Sequence, residues 1–211
     1  MRTRWATLRR LLAARRDPAR LGDAAVLHSA LLGVRMTAAA DARVHALVTR
    51  DPAATLRPHV DLAALRQLPP TSFGHVFATF CADNKISPVA ISAHITDAEL
   101  ATMTAVVRYI ATHDMFHVLL GYDTSLPDEL GVSGFVLGQR ILRGAWLLFT
   151  LQCLLVLLAR PHRAPRTLAR LREGYRRGRQ APMLLAQPLE ACFAEDLESL
   201  RTRLGLQPAS P

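Results

Sequence analysis

The chain has 211 residues, half of them apolar, with a formal net charge of +9, a mean hydropathy of +0.15 and a pI near 10.8. That length suits one domain with a sizeable core, and so large an apolar share requires either deep burial or contact with something greasy. Three cysteines, Cys81, Cys153 and Cys192, form no CxxC pair, which argues against a disulfide framework and a thiolate zinc site and for a reducing compartment.

Met1 to Arg20 carries seven arginines and no acid before Asp17. Trp5, Leu8, Leu11 and Leu12 fit one face of a helix and the stretch lacks serine. Residues 1–22 therefore read as a basic amphipathic lead-in helix and not as a transit peptide, and no secretory signal is visible. Residues 23–206 read as a single all-α domain and 207–211 as a flexible tail. Lys85 is the one lysine among 26 basic residues, a bias that a GC-rich genome produces by itself.

Ala24 to Thr49 shows apolar residues at helical spacing and predicts two helices. Asp51-Pro52 punctuates, and Ala53 to Leu68 adds a short helix or two, broken by Pro58. Gly74 to Cys81 is the next helix, ended by Asn84 and Ser87-Pro88. Pro88 to His94 reads as extended or loop, with His75 and His94 as lone structural histidines. Thr96-Asp97-Ala98-Glu99 is a capping box that predicts one long helix running through His117.

The organising stretch lies at the end of that helix. His113 and His117, four apart, stand about 40° apart around the axis and roughly 6 Å along it, so both imidazoles can reach one point in space. Gly121 stops the helix, Tyr122 to Ser125 turns, and Pro127 starts a second, antiparallel helix whose opening turn carries Glu129. Two imidazoles and a carboxylate with open positions suit a catalytic divalent ion between the two helices. Asp114, about 100° around from His113, is a fourth ligand, a base, or a partner that orients an imidazole.

Pro127 to Arg143 and Ala145 to Ala159 read as helices separated by Gly144. The second is apolar apart from Thr150 and Gln152, and is too short to span a bilayer comfortably. It reads as a buried helix, part of whose face could line a lipid-holding tunnel. Arg160 to Arg179 then sets eight arginines against one acid, which suits an anionic membrane surface. Nucleic acid is not expected, because no stacking aromatics or recognition module accompany the charge. Pro188 to Leu206 predicts a final amphipathic helix stopped by Gly205.

With these residues laid out, the sequence resembles the coenzyme Q (ubiquinone) biosynthesis protein four family. The resemblance rests on Leu68-Pro69-Pro70 with Phe73-Gly74, Asn84, Ser87-Pro88, Asp97, Glu99-Leu100 and Arg108-Tyr109. It continues through His113-Asp114-Met115-Phe116-His117, Leu119-Leu120-Gly121, Glu129, Gly178 to Pro182, Leu200-Arg201 and Leu204-Gly205. It implies an all-helical fold, a divalent ion, usually zinc, held by the residues matching His113, Asp114, His117 and Glu129, and peripheral membrane attachment. It also implies a place in a multiprotein quinone-synthesis assembly and oxidative decarboxylation of a polyprenylated benzoate ring. Gly131, Ser133 and Val136 replace the charge the family carries after its motif glutamate, and Pro127-Asp128 is unusual before it.

An enzyme of this kind would use the ion as a Lewis acid. Asp114 would shuttle a proton or orient His113. Arg108 is placed to pair with the substrate carboxylate if its side chain faces the site, with Tyr109 beside it, and the Trp146 to Ala159 helix would sheath the isoprenoid tail. Zinc heads the candidate cofactors and iron(II) follows. The expected partners are a polyprenylated aromatic lipid, a membrane surface, other quinone-biosynthesis proteins and a second copy in a homodimer. The expected location is the inner membrane of a GC-rich bacterium, on its cytoplasmic side, or the matrix side of the mitochondrial inner membrane. Two other readings stay open: a lipid-binding scaffold with a structural metal, and a phosphohydrolase using His94, His113-Asp114 and Asp123.

Overall fold

The structure, a computed structural model, describes residues 2–144, 162 and 164–207. The expected apolar helix over Ala145 to Ala159, and the tunnel face assigned to it, lie outside the described residues. So does most of the expected tail. Among the described residues the secondary structure is helical, with two isolated bridges, Met36 to Leu142 and Ser72 to Asp196.

Helix α1 (Arg2–Ala14) packs on α2 (Leu21–Leu32) through Leu11 and Ala14. The apolar face expected from the sequence divides here: Trp5 and Leu12 stay 62% and 51% exposed. Leu11 and Ala14, three apart, supply the packing stripe, and Trp5 and Leu12 lie around the axis from it. Arg10 leaves α1 to clamp Glu99 at 2.5 Å and the His94 carbonyl at 2.6 Å.

Thr37 caps α3 (Ala38–Arg50), Asp61 caps the single turn α4 (Leu62–Leu65), and Ser72 caps α5 (Phe73–Asp83) through the His75 N–H. Each cap satisfies a donor that the helix geometry leaves without an internal partner.

The capping box at Thr96 and Glu99 forms as expected, but the helix it starts is not continuous. Helix α6 (Asp97–Ala101) ends after one turn and α7 (Thr104–Leu120) begins beyond Met103, whose φ is −137°. Threonine hydroxyls on both sides of the break take up backbone carbonyls: Thr102 donates to Glu99 at 2.8 Å and Thr104 to Ala101 at 3.2 Å. Helix α7 is the central element, packed by α2, α3, α5 and α8. Val107, Met115, Phe116, Leu119 and Leu120 are fully buried along it, each contributing about 1.5–3 kcal/mol by leaving water.

Helix α8 (Leu126–Gly138) stops five residues short of the expected Arg143. Gln139 ends it by turning its side chain outward, donating to the Pro182 carbonyl and accepting from the Leu184 N–H. Helix α9 (Ala164–Gln180) then lies directly on α8. A Cβ at Gly174 would overlap the Gly131 carbonyl oxygen, and one at Gly178 would overlap that of Phe135. The two backbones touch because glycine occupies both sides of the seam.

The C-terminal stretch is less helical than expected. Short 3₁₀ turns at Leu184–Ala186 and Leu189–Cys192 precede α10 (Leu197–Arg203), whose first turn Asp196 caps by accepting from Ser199. Ser72 pairs with Asp196 across this junction, and Phe73 donates to the Glu195 carbonyl.

Candidate metal centre

Gly121 closes α7 with a φ of +69°, a left-handed conformation that glycine adopts without strain. The chain reverses through Tyr122 to Ser125, and α8 opens with Pro127 in its first turn, where the missing N–H costs nothing. Glu129 thereby comes back beside the last turns of α7.

His117 is the buried member of the site, with 1% of its side chain exposed. Its Nδ1 lies 3.0 Å from the Asp123 carbonyl oxygen, so the neutral ring is assigned a proton there and an open lone pair on Nε2. That Nε2 is buried without a hydrogen-bond partner, 3.5 Å from Glu129 Oε1. Phe80 of α5 stacks on the ring at 5.8 Å and holds its plane.

His113 is more open. Its Nε2 lies 3.9 Å from Glu129 Oε2, and its Nδ1 lies 3.4 Å from Asp114 Oδ1. The two imidazole centroids are 5.0 Å apart, and one donor atom from each of His113, His117 and Glu129 falls within 4.8 Å of the others. Donors about 2.0–2.2 Å from a shared ion stand roughly 3.3 Å apart at tetrahedral angles. The observed N···O separations of 3.5 and 3.9 Å go to different oxygens of Glu129 and the trio spans up to 4.8 Å, so the three side chains must draw in to share an ion. By its donor types the trio fits a divalent ion, and the orphaned Nε2 of His117 is the atom that most needs one.

Burial pulls the His117 imidazole down, but Glu129, Asp114 and the Asp123 carbonyl outweigh it and leave it above the ordinary histidine value. Burial pushes the Tyr109 phenol well above its usual range, with Glu129 and Asp114 adding to the rise. Tyr109 meets His113 edge-on at 5.5 Å and stays a protonated hydroxyl close to both carboxylates. Burial, helped by Asp114, pushes the neighbouring Cys81 thiol up to about 12.

The other expected site residues divide. Asp114 is outside the trio: it meets the Nδ1 side of His113 and lines a cavity of about 710 Å³ walled by Leu21, Ile86, Pro88 and Val89. Arg108 is not at the site. Five positions before His113, it points to the far side of α7, fully buried against Glu190, with the Gln187 carbonyl 3.0 Å from Nη2. His94 bonds Ser92, and the Asp123 carboxylate accepts the Ser125 N–H at 2.7 Å, so neither joins the histidine pair. Within the basic run, Arg170 pairs with Asp128 and Glu173, and Arg177 lies over the Tyr122 ring.

Sequence reasoning missed Phe80, the Asp123 carbonyl and Asp128. For Phe80 and the carbonyl no local pattern exists, because each acts across a tertiary contact. Asp128 carried a signal, an acid standing beside Glu129 in the first turn of a helix.

Comparison with known proteins finds similarity along most of the chain. The family model described as "Coenzyme Q (ubiquinone) biosynthesis protein Coq4" matches residues 14–210. The mitochondrial ubiquinone biosynthesis protein COQ4 homologs of Bos taurus and Homo sapiens are 32% and 31% identical over 155 residues, covering 70% of this chain and 55% of each relative. The chain thus spans about half the length of these curated relatives. A crystal structure of a putative ubiquinone biosynthesis protein from Nostoc punctiforme superposes with a TM-score of 0.62 at 23% identity, covering 96% of both chains, and shares the fold.

Proposed function

The chain belongs to the Coq4 family of coenzyme Q (ubiquinone) biosynthesis proteins, and on that premise we propose that it is a metal-dependent enzyme of ubiquinone synthesis. In this reading it replaces the carboxyl group of a polyprenylated hydroxybenzoate by a hydroxyl. The observation that carries the reading is the buried Nε2 of His117, which makes no hydrogen bond of normal geometry and faces Glu129 at 3.5 Å in the trio with His113.

His113, His117 and Glu129 would hold the ion, zinc first and iron(II) second, and a bound ion would supply Lewis-acid stabilisation of charge developing on the ring. Asp114 would hold His113 in the tautomer that offers Nε2. Tyr109, kept protonated, would donate to an oxygen of the ring. The walls of the Asp114 cavity would shed water from the apolar tail. The net change, one aryl carboxylic acid plus dioxygen, two electrons and two protons giving a phenol, carbon dioxide and water, requires an electron donor from outside the chain.

The family match supports partnership with other quinone-biosynthesis proteins. Peripheral work at a membrane is part of the proposal, on the bacterial inner membrane or on the matrix side of the mitochondrial one, the curated relatives being named as mitochondrial. No helix of the described residues is long and apolar enough to cross a membrane. Trp5 and Leu12 lie exposed on α1 with Arg9, and Arg16 follows in the turn just beyond it, a surface suited to anionic lipid.

A second reading, a non-catalytic lipid-binding scaffold, draws on the same geometry, since an ion joining α7 to α8 would also staple the two helices. Glu129→Ala separates the two. The enzyme reading expects a folded variant that keeps its partners and loses turnover with its ion; undiminished flux to quinone in that variant overturns it.

A further inference from the structure

Asp128 has 6% of its side chain exposed, yet it is ionisable and stands in the first turn of α8, where Ser125 makes no side-chain cap bond. A carboxylate so withdrawn from water needs compensating partners. Its Oδ2 accepts the Asp123 N–H at 3.0 Å, and its Oδ1, outside hydrogen-bond geometry, forms an ion pair with Arg170 Nε at 2.9 Å. Asp123 is also the residue whose carbonyl meets His117 Nδ1 at 3.0 Å. One residue of the turn is therefore held at its N–H from α8 while its C=O holds the buried imidazole. Arg170 reaches Asp128 because the α8–α9 seam is closed down to backbone contact, where a Cβ at Gly134 would overlap the Leu171 carbonyl oxygen.

We propose that Asp128, held by Arg170, is a positioning residue for His117: it anchors Asp123 so that the carbonyl there fixes the Nδ1–H tautomer and aims Nε2 at Glu129. With the anchor gone the turn relaxes, the ring gains access to the other tautomer, and a proton on Nε2 closes that nitrogen to any cation. Its consequence for an ion rests on the metal-centre reading above. The tautomer itself is a property of the metal-free chain.

The test uses the ¹⁵N-labelled 211-residue chain. Imidazole ¹⁵N–¹H correlation spectra of the metal-free form, taken where His117 is neutral, report which nitrogen carries the proton. Titration with Co²⁺ alone, followed by its d–d absorption, reports affinity and coordination. Wild type is expected to show the Nδ1–H form and a cobalt spectrum. Asp128→Ala is expected to show a mixture of tautomers and a fall in cobalt affinity of about 10- to 100-fold. Asp128→Asn, which keeps an oxygen for the Asp123 N–H but loses the charge facing Arg170, should fall between them and decides the matter if the alanine variant does not fold. Wild-type tautomer and wild-type cobalt affinity in the folded variant overturn the proposal. A tautomer change in the variants with no cobalt binding even by wild type sustains the positioning role and sinks the metal-centre reading instead.

Discussion

Two polar clusters ride on α7, about half a turn apart around its axis, and they are finished differently. On one side Arg108 is fully buried, and both its terminal nitrogens meet Glu190 or the Gln187 carbonyl, leaving only Nε without an acceptor. On the other side His117 is equally buried, but the nitrogen facing Glu129 has no hydrogen bond. Charge and burial alone do not separate a structural cluster from a site. The difference lies in how tightly protein atoms close it: Glu190 grips the guanidinium at hydrogen-bond distance, whereas Glu129 stands 3.5 Å from the imidazole nitrogen.

The largest expected effect tests the closed side. Arg108→Ala strands a buried Glu190 and should cost about 3–5 kcal/mol, a fall in Tm on the order of 10 °C for a chain of this size. Replacing both partners by methionine should recover most of that loss in the same thermal scan. A single variant that melts like wild type would erase the contrast between the clusters.

Next comes the seam that fixes α8. Gly174→Ala places a methyl group on the Gly131 carbonyl, where the obstacle is backbone and cannot swing aside. We expect a loss of about 1–3 kcal/mol in denaturant unfolding, at the upper end of that range.

The open side should respond to an ion instead. Zinc at a hundredfold excess over its Kd should stabilise the protein by about 2.7 kcal/mol, and Glu129→Gln should abolish that shift while moving the metal-free Tm little. Equal zinc shifts in both proteins would reassign the binding to other residues.

The smallest effect concerns the clamp between α1 and α6. Arg10 holds the Glu99 carboxyl at about 2, below its ordinary 4.5. A depressed folded value contributes stability that is complete above pH 4.5 and fades as pH falls toward 2. Both side chains are 38% exposed, so screening leaves less than about 1 kcal/mol. The small Tm deficit of Arg10→Gln should therefore narrow between pH 4.5 and 3, and a constant deficit would deny the ion pair any part in it.

Much of the histidine side was legible in the sequence. A four-residue spacing on a helix, a glycine stop and a proline start suffice to bring His113, His117 and Glu129 together, because each is a local rule and the loop between them is short. Arg108 shows the limit of such reasoning: five positions is 500° of helix, so nearness in sequence placed it on the wrong side, and its true partner is 82 residues away. The glycines at 131, 134, 174 and 178 carry no local signal of a seam, which exists only through the tertiary contact of α8 with α9. The break at Thr102 to Met103 was hidden because competing threonine hydroxyls act after a strong capping signal. The turn and short helix before Arg203 follow from the Asp196 and Glu195 contacts to α5, which no local pattern announces.

The Cys81 thiol has a bearing on selectivity. Raised to about 12 by burial beside Asp114, it yields a thiolate to a soft cation such as copper(I) or cadmium only by giving up its proton against that burial, although it stands on the helix next to the imidazoles. The neighbourhood thus remains one of nitrogen and oxygen donors, and competition among borderline ions is left to their supply in the cell and to how far each tolerates a crowded, lopsided coordination sphere.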